Sequence, residues 1–162
     1  SYGMKLKGDL TALETSIRVY RQALSFIIPI INDEWEVLSE FEYTNQKYNL
    51  IEKWIHSTAK NQARFDFDKQ FPKFPTYLRR SAIAKALGIV SSYRSNLKHW
   101  GEEPKGQAPK LSLTHYTYPA YYKGNLFRDF DPVRQTIELK VFKNGDWVYE
   151  TYTLKTSDCT YY

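Results

Sequence analysis

The chain has 162 residues, enough for one domain or two small lobes with a buried core, and 23 Lys and Arg against 18 Asp and Glu give it a formal charge of +5. Aromatic residues reach 17%, with 14 Tyr, 9 Phe and 4 Trp; tyrosine beside a basic surplus suits stacking on bases and tracking of phosphates, and equally the filling of a half-buried sheet. The single Cys159 excludes an internal disulfide, no Cys/His spacing offers a zinc site, and the longest apolar cluster, "FIIPII", is too short to span a membrane, so a cytoplasmic protein without a metal or cofactor of its own is expected.

At the amino end, "SYGMKLKGD" reads as a short strand in which Met4 and Leu6 alternate with Lys5 and Lys7. Thr11 and Glu14 have the spacing of a capping box, and Leu13, Ile17, Tyr20, Leu24, Ile27 and Ile31 then recur on one face of a long amphipathic helix. Pro29 removes an amide and clashes with the preceding turn, so it is expected to bend or break that helix; Trp35 and Leu38 continue the rhythm beyond it. A second helix is predicted over "NQKYNLIEKWIHSTAK", with Tyr48, Ile51 and Ile55 inside. The stretch "RFDFDKQFPKFP" reads as a loop, and Pro75 pushes Phe74 out of helical angles, so a third helix begins near Thr76.

"GEEPKGQAPK" is the clearest linker, and "LTHYTYPAYYKGNLF" is read as a further strand or two around Pro119. After it the apolar period changes to two. "VRQTIELKVF" and "DWVYETYTLK" flank Asn144-Gly145, a hairpin turn whose residues accept positive φ. Folding about it sets Val141 opposite Val148, Ile137 opposite Tyr152 and Gln135 opposite Leu154, with Glu150 the misfit on this dry face. Phe142, Trp147, Lys140, Tyr149, Thr136 and Thr153 form the other face, which reads as the wetter one. The fold class is therefore α+β: residues 1–8 a first strand, 9–101 a helical lobe of about three helices, and 102–162 an antiparallel β lobe, the helices being inserted into a small barrel-like sheet.

On a helix over 76–100, Ile83, Ala86, Leu87, Val90, Leu97 and Trp100 gather on one side as a core stripe. Arg80, Ser91, Arg94, Ser95 and Lys98 line up along its flank. Such a row is either a solvated face or a seat for a phosphate backbone, where hydroxyls permit close approach and cations displace counterions. Arg79 and Arg80 also have the chemistry to reach guanine edges. For catalysis there is little. His56, His99 and His115 are scattered, no glycine-rich phosphate loop is present, and Asp66, Asp68, Asp129 and Asp131 have the alternate spacing of solvated turn residues. No catalytic or metal-ligating residue is assigned.

The order "FPKFPTYLRRSAIAKALGIVSSYRSNLKHW", "APKLSLTHYTYPAYYKGNLF" and "IELKVFKNGDWVYE" resembles the N-terminal part of TnpB proteins, transposon-encoded RNA-guided DNA endonucleases related to type V CRISPR effectors. In that family a wedge-like barrel starts with one strand, is interrupted by a helical recognition lobe, and resumes. Where the family helix begins roughly Val-Leu-Gln-Gln, this chain has Tyr77, Leu78, Arg79 and Arg80, and its aromatic end is replaced by Tyr93 and Trp100. The resemblance implies a guide RNA and a target DNA as partners. The helical lobe, through Tyr77, Arg79, Arg80, Lys85, Ser91, Tyr93, Arg94, Ser95 and Lys98, would hold the heteroduplex and approach the short duplex motif beside the target. The β lobe, through Tyr121, Tyr122, Lys140, Trp147 and Tyr149, would grip the guide scaffold. The family's metal-dependent nuclease domain, with its paired carboxylates, is not among these residues, so cutting would fall to another domain or a second chain. The alternative is a protein-interaction module that docks such a partner through "FIIPII" and the Phe/Pro loop.

Overall fold

A computed structural model describes residues 5–155; Met4 and Cys159 lie outside the described residues. In chain order the elements are β1 (Leu6–Lys7), α1 (Thr11–Asp33), α2 (Trp35–Ser39), α3 (Thr44–Ile55), α4 (Phe67–Gln70), α5 (Thr76–Glu102), β2 (Phe127–Asp131), β3 (Thr136–Lys143) and β4 (Asp146–Leu154). The fold is α+β. Its four strands form one antiparallel sheet in the order β1-β4-β3-β2, so the helices are inserted between the first strand and the remaining three. The sheet is not the expected barrel. With β1 and β2 left as separate edges of two and five residues, it stays open.

α1 begins where the spacing places it, but not through a capping box. The Asp9 carboxylate accepts from the Thr11 amide (3.0 Å) and the Thr11 hydroxyl (2.6 Å), doing the work expected of Thr11 and Glu14. Nor does Pro29 end the helix, which runs on to Asp33. The missing amide costs the Ser25 carbonyl its partner, yet Ile27, Ile28, Ile30 and Ile31 on both sides of the proline are buried. Burying a side chain of that size contributes about 1.5–3 kcal/mol, so the four outweigh one lost helical bond. The carboxyl end of α1 is held by Arg94, whose Nε donates to Asn32 Oδ1 (2.8 Å) and whose terminal nitrogen donates to the Asn32 carbonyl (2.9 Å). A cation among these last carbonyls also complements the helix dipole.

α3 stops at Ile55, short of the predicted end, because Asp68 takes over there: it accepts from the Ser57 amide (3.1 Å) and pairs with His56 Nδ1 (2.9 Å). The Phe/Pro loop folds inward around α4. Phe67, Phe71 and Phe74 pack tilted and edge-to-face with centroids 4.9–6.0 Å apart, and Phe26 and Trp147 join the cluster from α1 and β4. One core therefore runs between the helices and the sheet.

The hairpin has the predicted register: Val141 faces Val148, Ile137 faces Tyr152, and the Leu154 amide donates to the Gln135 carbonyl (2.7 Å). Asn144 (φ 53°) and Gly145 (φ 79°) both adopt the left-handed turn geometry. Glu150 is no misfit, since it pairs with Lys143 Nζ (2.5 Å) and accepts from the Tyr152 hydroxyl (3.0 Å). The wet face is only half wet. Near the turn, Trp147 and Phe142 pack into the shared core, while Lys140, Tyr149 and Thr153 lie toward the far end. The segment 110–122, read as a strand or two, forms no ladder and lies as an irregular strap with no helix or strand.

Candidate nucleic-acid interface

The residues predicted on α5 separate into three groups. Arg79 is 3% exposed. It stands four and seven residues before Ile83 and Ala86, which puts it on the core stripe itself rather than beside it. Its Nε lies 3.8 Å from Glu52 and makes no hydrogen bond, and burial presses the guanidinium below its ordinary value against the pull of Glu52. Arg79 is thus an interior cation and not a contact for base edges. Arg94 is half-buried and occupied by Asn32, so it serves the helix junction. Arg80, Lys85, Ser91, Ser95 and Lys98 are exposed as expected; Arg80 pairs with Glu52 (3.2 Å) and lies over the exposed Tyr77 ring (5.7 Å).

On the β side, Trp147 is 8% exposed with its ring against Phe74 (5.5 Å) and Phe142 (5.4 Å), which removes it from any RNA-gripping surface. Tyr121 donates its hydroxyl to the Lys140 carbonyl (2.7 Å), and burial raises its pKa; it fills the sheet. Tyr122 is exposed and its ring meets Tyr77 (5.7 Å). Tyr149 carries the Arg128 guanidinium 3.7 Å above its ring and Lys140 at 5.6 Å. Arg128 is fixed there by Glu138 (2.6 Å), a bond that raises the pKa of Arg128 and lowers that of Glu138.

The strap brings together residues that the helical and strand patterns did not single out. It crosses the seam between α1 and α5, tied by Ser25 Oγ donating to the Leu113 carbonyl (2.5 Å) and Arg21 Nε donating to the Thr117 carbonyl (3.0 Å). An open groove on its α5 side is lined by Lys85, Ser92, Tyr93, Asn96, Lys110 and His115. Another on its α1 side is lined by Arg18, Arg21, Gln70, Thr114, His115 and Tyr116. His115 borders both, so the two grooves flank one ridge. Tyr116 and Tyr118 stand on it 83% and 72% exposed, and the Arg21 guanidinium lies 5.5 and 5.1 Å from their ring centres. The helical and strand periods single out none of Arg21, Lys110, His115, Tyr116 and Tyr118; the one sequence signal, for the two tyrosines, is their alternation about Thr117 in "THYTYPAYY".

Charge is divided unevenly along the chain. From Thr76 to Arg128 the cations are Arg79, Arg80, Lys85, Arg94, Lys98, Lys105, Lys110, Lys123 and Arg128, and the only acids are Glu102 and Glu103. Among the described residues, Lys85, Lys98, Lys105, Lys110 and Arg18 have no acidic group within ion-pair distance. Also among the described residues, no three His, Cys, Asp or Glu side chains stand where they would hold a metal ion. None of the described helices is long and apolar enough to cross a membrane. Of the side chains the docking alternative invokes, Ile27, Ile28, Ile30 and Ile31 of "FIIPII" and Phe67, Phe71 and Phe74 of the loop are buried in the chain's own core.

An α+β protein in which helices interrupt an open antiparallel sheet is the class that this geometry defines. Within it, the chain belongs to the Aq_aa04 family, whose sequence model matches residues 1–143. It is similar to "Uncharacterized protein aq_aa04" of Aquifex aeolicus (strain VF5), with 30% identity over 138 residues that cover 75% of this chain and 74% of that protein. No solved structure matches it.

Proposed function

We propose that the chain is a nucleic-acid-binding module whose contact surface is the strap and the exposed side of α5. The observation that carries this reading is the coincidence, on one ridge, of cations without acidic partners and tyrosines left in solvent: Lys85 and Lys110 on one side, Arg18 and Arg21 on the other, Tyr116 and Tyr118 between. Unpaired cations attract a polyanion by releasing its counterions, and exposed rings supply sites for bases. Two further Arg–Tyr pairs, Arg80 with Tyr77 and Arg128 with Tyr149, add ring–guanidinium contacts, though each of these arginines also pairs with an acid, Glu52 and Glu138.

The finer proposal is the recognition part of a TnpB-like RNA-guided nuclease in the cytoplasm, with guide RNA and target DNA as partners. The insertion of five helices between β1 and the rest of the sheet supports it, as does the position of α5 directly after Pro75. In this role base pairing supplies the sequence specificity and the protein reads backbone and shape, while cutting belongs to a nuclease domain or second chain. Fluorescence anisotropy with a labelled structured RNA and a labelled DNA duplex tests the module. Lys85→Glu with Lys110→Glu is expected to weaken binding at least about tenfold, since each lost phosphate contact also becomes a repulsion. Unchanged affinity in that variant rejects the surface.

A further inference from the structure

We propose that Tyr116 and Tyr118, with Arg21 against both rings, form a stacking platform for unpaired bases, so that the strap selects single-stranded nucleic acid over duplex. This rests on the nucleic-acid reading above and names the form of its ligand. Tyrosine ordinarily hides its ring and shows only its hydroxyl, whereas most of the surface of these two lies in solvent. Tyr116 and Tyr118, two residues apart, both bring their rings to one guanidinium. The platform is also fixed before any ligand arrives. Arg21 Nε holds the Thr117 carbonyl between the two tyrosines, Pro119 keeps Tyr118 extended, and Ser25 ties the strap at Leu113. A preordered site avoids the entropy of immobilising loose side chains on binding.

Duplex and single strand differ in what they offer such a surface. Paired bases are covered above and below by their neighbours and present only edges and phosphates. An unpaired base presents its whole face, which stacks on an aromatic ring regardless of sequence, while a nearby guanidinium meets the backbone. Arg18 and Lys110 supply the flanking charge in the two grooves beside the ridge. The exposed Tyr122 follows four residues after Tyr118, a backbone reach of at most about 14 Å. It leans on Tyr77 under Arg80 and offers the next ring along the same segment.

The test uses the 162-residue chain with labelled oligo(U), oligo(dT) and a duplex of equal length, read by anisotropy. Both single strands are expected to bind more tightly than the duplex; a preference for oligo(U) would add a contact to the ribose hydroxyl and still support the platform. Tyr116→Ala and Tyr118→Ala are each expected to weaken single-strand binding about tenfold. The same variants should leave duplex affinity and the salt dependence unchanged, because neither side chain is charged. Tyr116→Phe and Tyr118→Phe should bind like the native chain, since the ring face and not the hydroxyl does the stacking. Melting curves confirm that these surface variants fold. Duplex binding as tight as single-strand binding, or alanine variants without effect, overturns the platform. Displacement of the oligonucleotide by an equally charged polyglutamate peptide overturns it too, in favour of an acidic protein partner. If single strands bind through Lys85 and Lys110 but ignore the tyrosines, only the platform fails. If no oligonucleotide binds, the nucleic-acid reading itself fails.

Discussion

Ser16 joins the helices to the sheet, and its removal has a calculable cost. The side chain is 1% exposed, its hydroxyl donates to the Ala12 carbonyl (2.7 Å), and it accepts the Phe142 amide (2.7 Å). That amide lies past the end of β2, whose pairing with β3 begins at Leu139, so α1 takes the place of a strand there. Ser16→Ala leaves a part-buried amide with no acceptor, a loss of about 1–3 kcal/mol. Alanine's better helix propensity returns at most about 0.5 kcal/mol. The net is about 0.5–2.5 kcal/mol, or a Tm lower by about 1–10 °C for a chain of this length. Thr15→Ala is the internal control, since Thr15 makes the same back-bond, to the Thr11 carbonyl (2.9 Å), and no hydrogen bond to the sheet among the described residues. Calorimetry of both variants isolates the Phe142 bond. Equal melting temperatures for the two would refute the idea that Ser16 completes the sheet edge.

Trp147→Ala removes a buried indole between Phe74 and Phe142 and should cost about 3–5 kcal/mol, seen as a large fall in the urea midpoint; a midpoint unchanged from the native chain would place Trp147 on the surface after all. Glu150 is held below its ordinary value of 4.5 first by its bond from Lys143 and then by that from Tyr152. A depressed carboxylate stabilises the fold above its unfolded value, so this share begins to be lost as pH falls into the ordinary carboxylate range and is gone below the folded value. Carboxyl NMR titration should give Glu150 a low midpoint that returns toward 4.5 in Lys143→Met; an ordinary midpoint in the native chain would contradict the pairing.

Much of the scaffold was legible because local rules and tertiary packing agree there. Pro75 fixes the start of α5, and Asn144-Gly145 fixes the hairpin and, through its period of two, the whole register. Where they disagree, packing wins: α1 passes through Pro29 because isoleucines on both sides are buried, a fact of neighbours and not of sequence. The candidate site was harder to see. Arg79 has the spacing of the core stripe, and reading it as surface followed its charge instead of its position. Trp147 was placed on a wet face because alternation reports which residues share a side, not which side an inserted helix covers. The strap has no period at all. It is held by side chains of α1 binding its carbonyls, so only the fold shows that Tyr116 and Tyr118 meet Arg21.

The central claim, that unpaired cations beside the strap meet phosphates, is tested most directly by the salt dependence of RNA binding. The logarithm of affinity against the logarithm of salt concentration should fall steeply for the native chain. For Lys85→Ala with Lys110→Ala the slope should be shallower by about 1.4, two contacts at roughly 0.7 each on a single strand. A slope near zero, or one that the two substitutions leave unchanged, would contradict it.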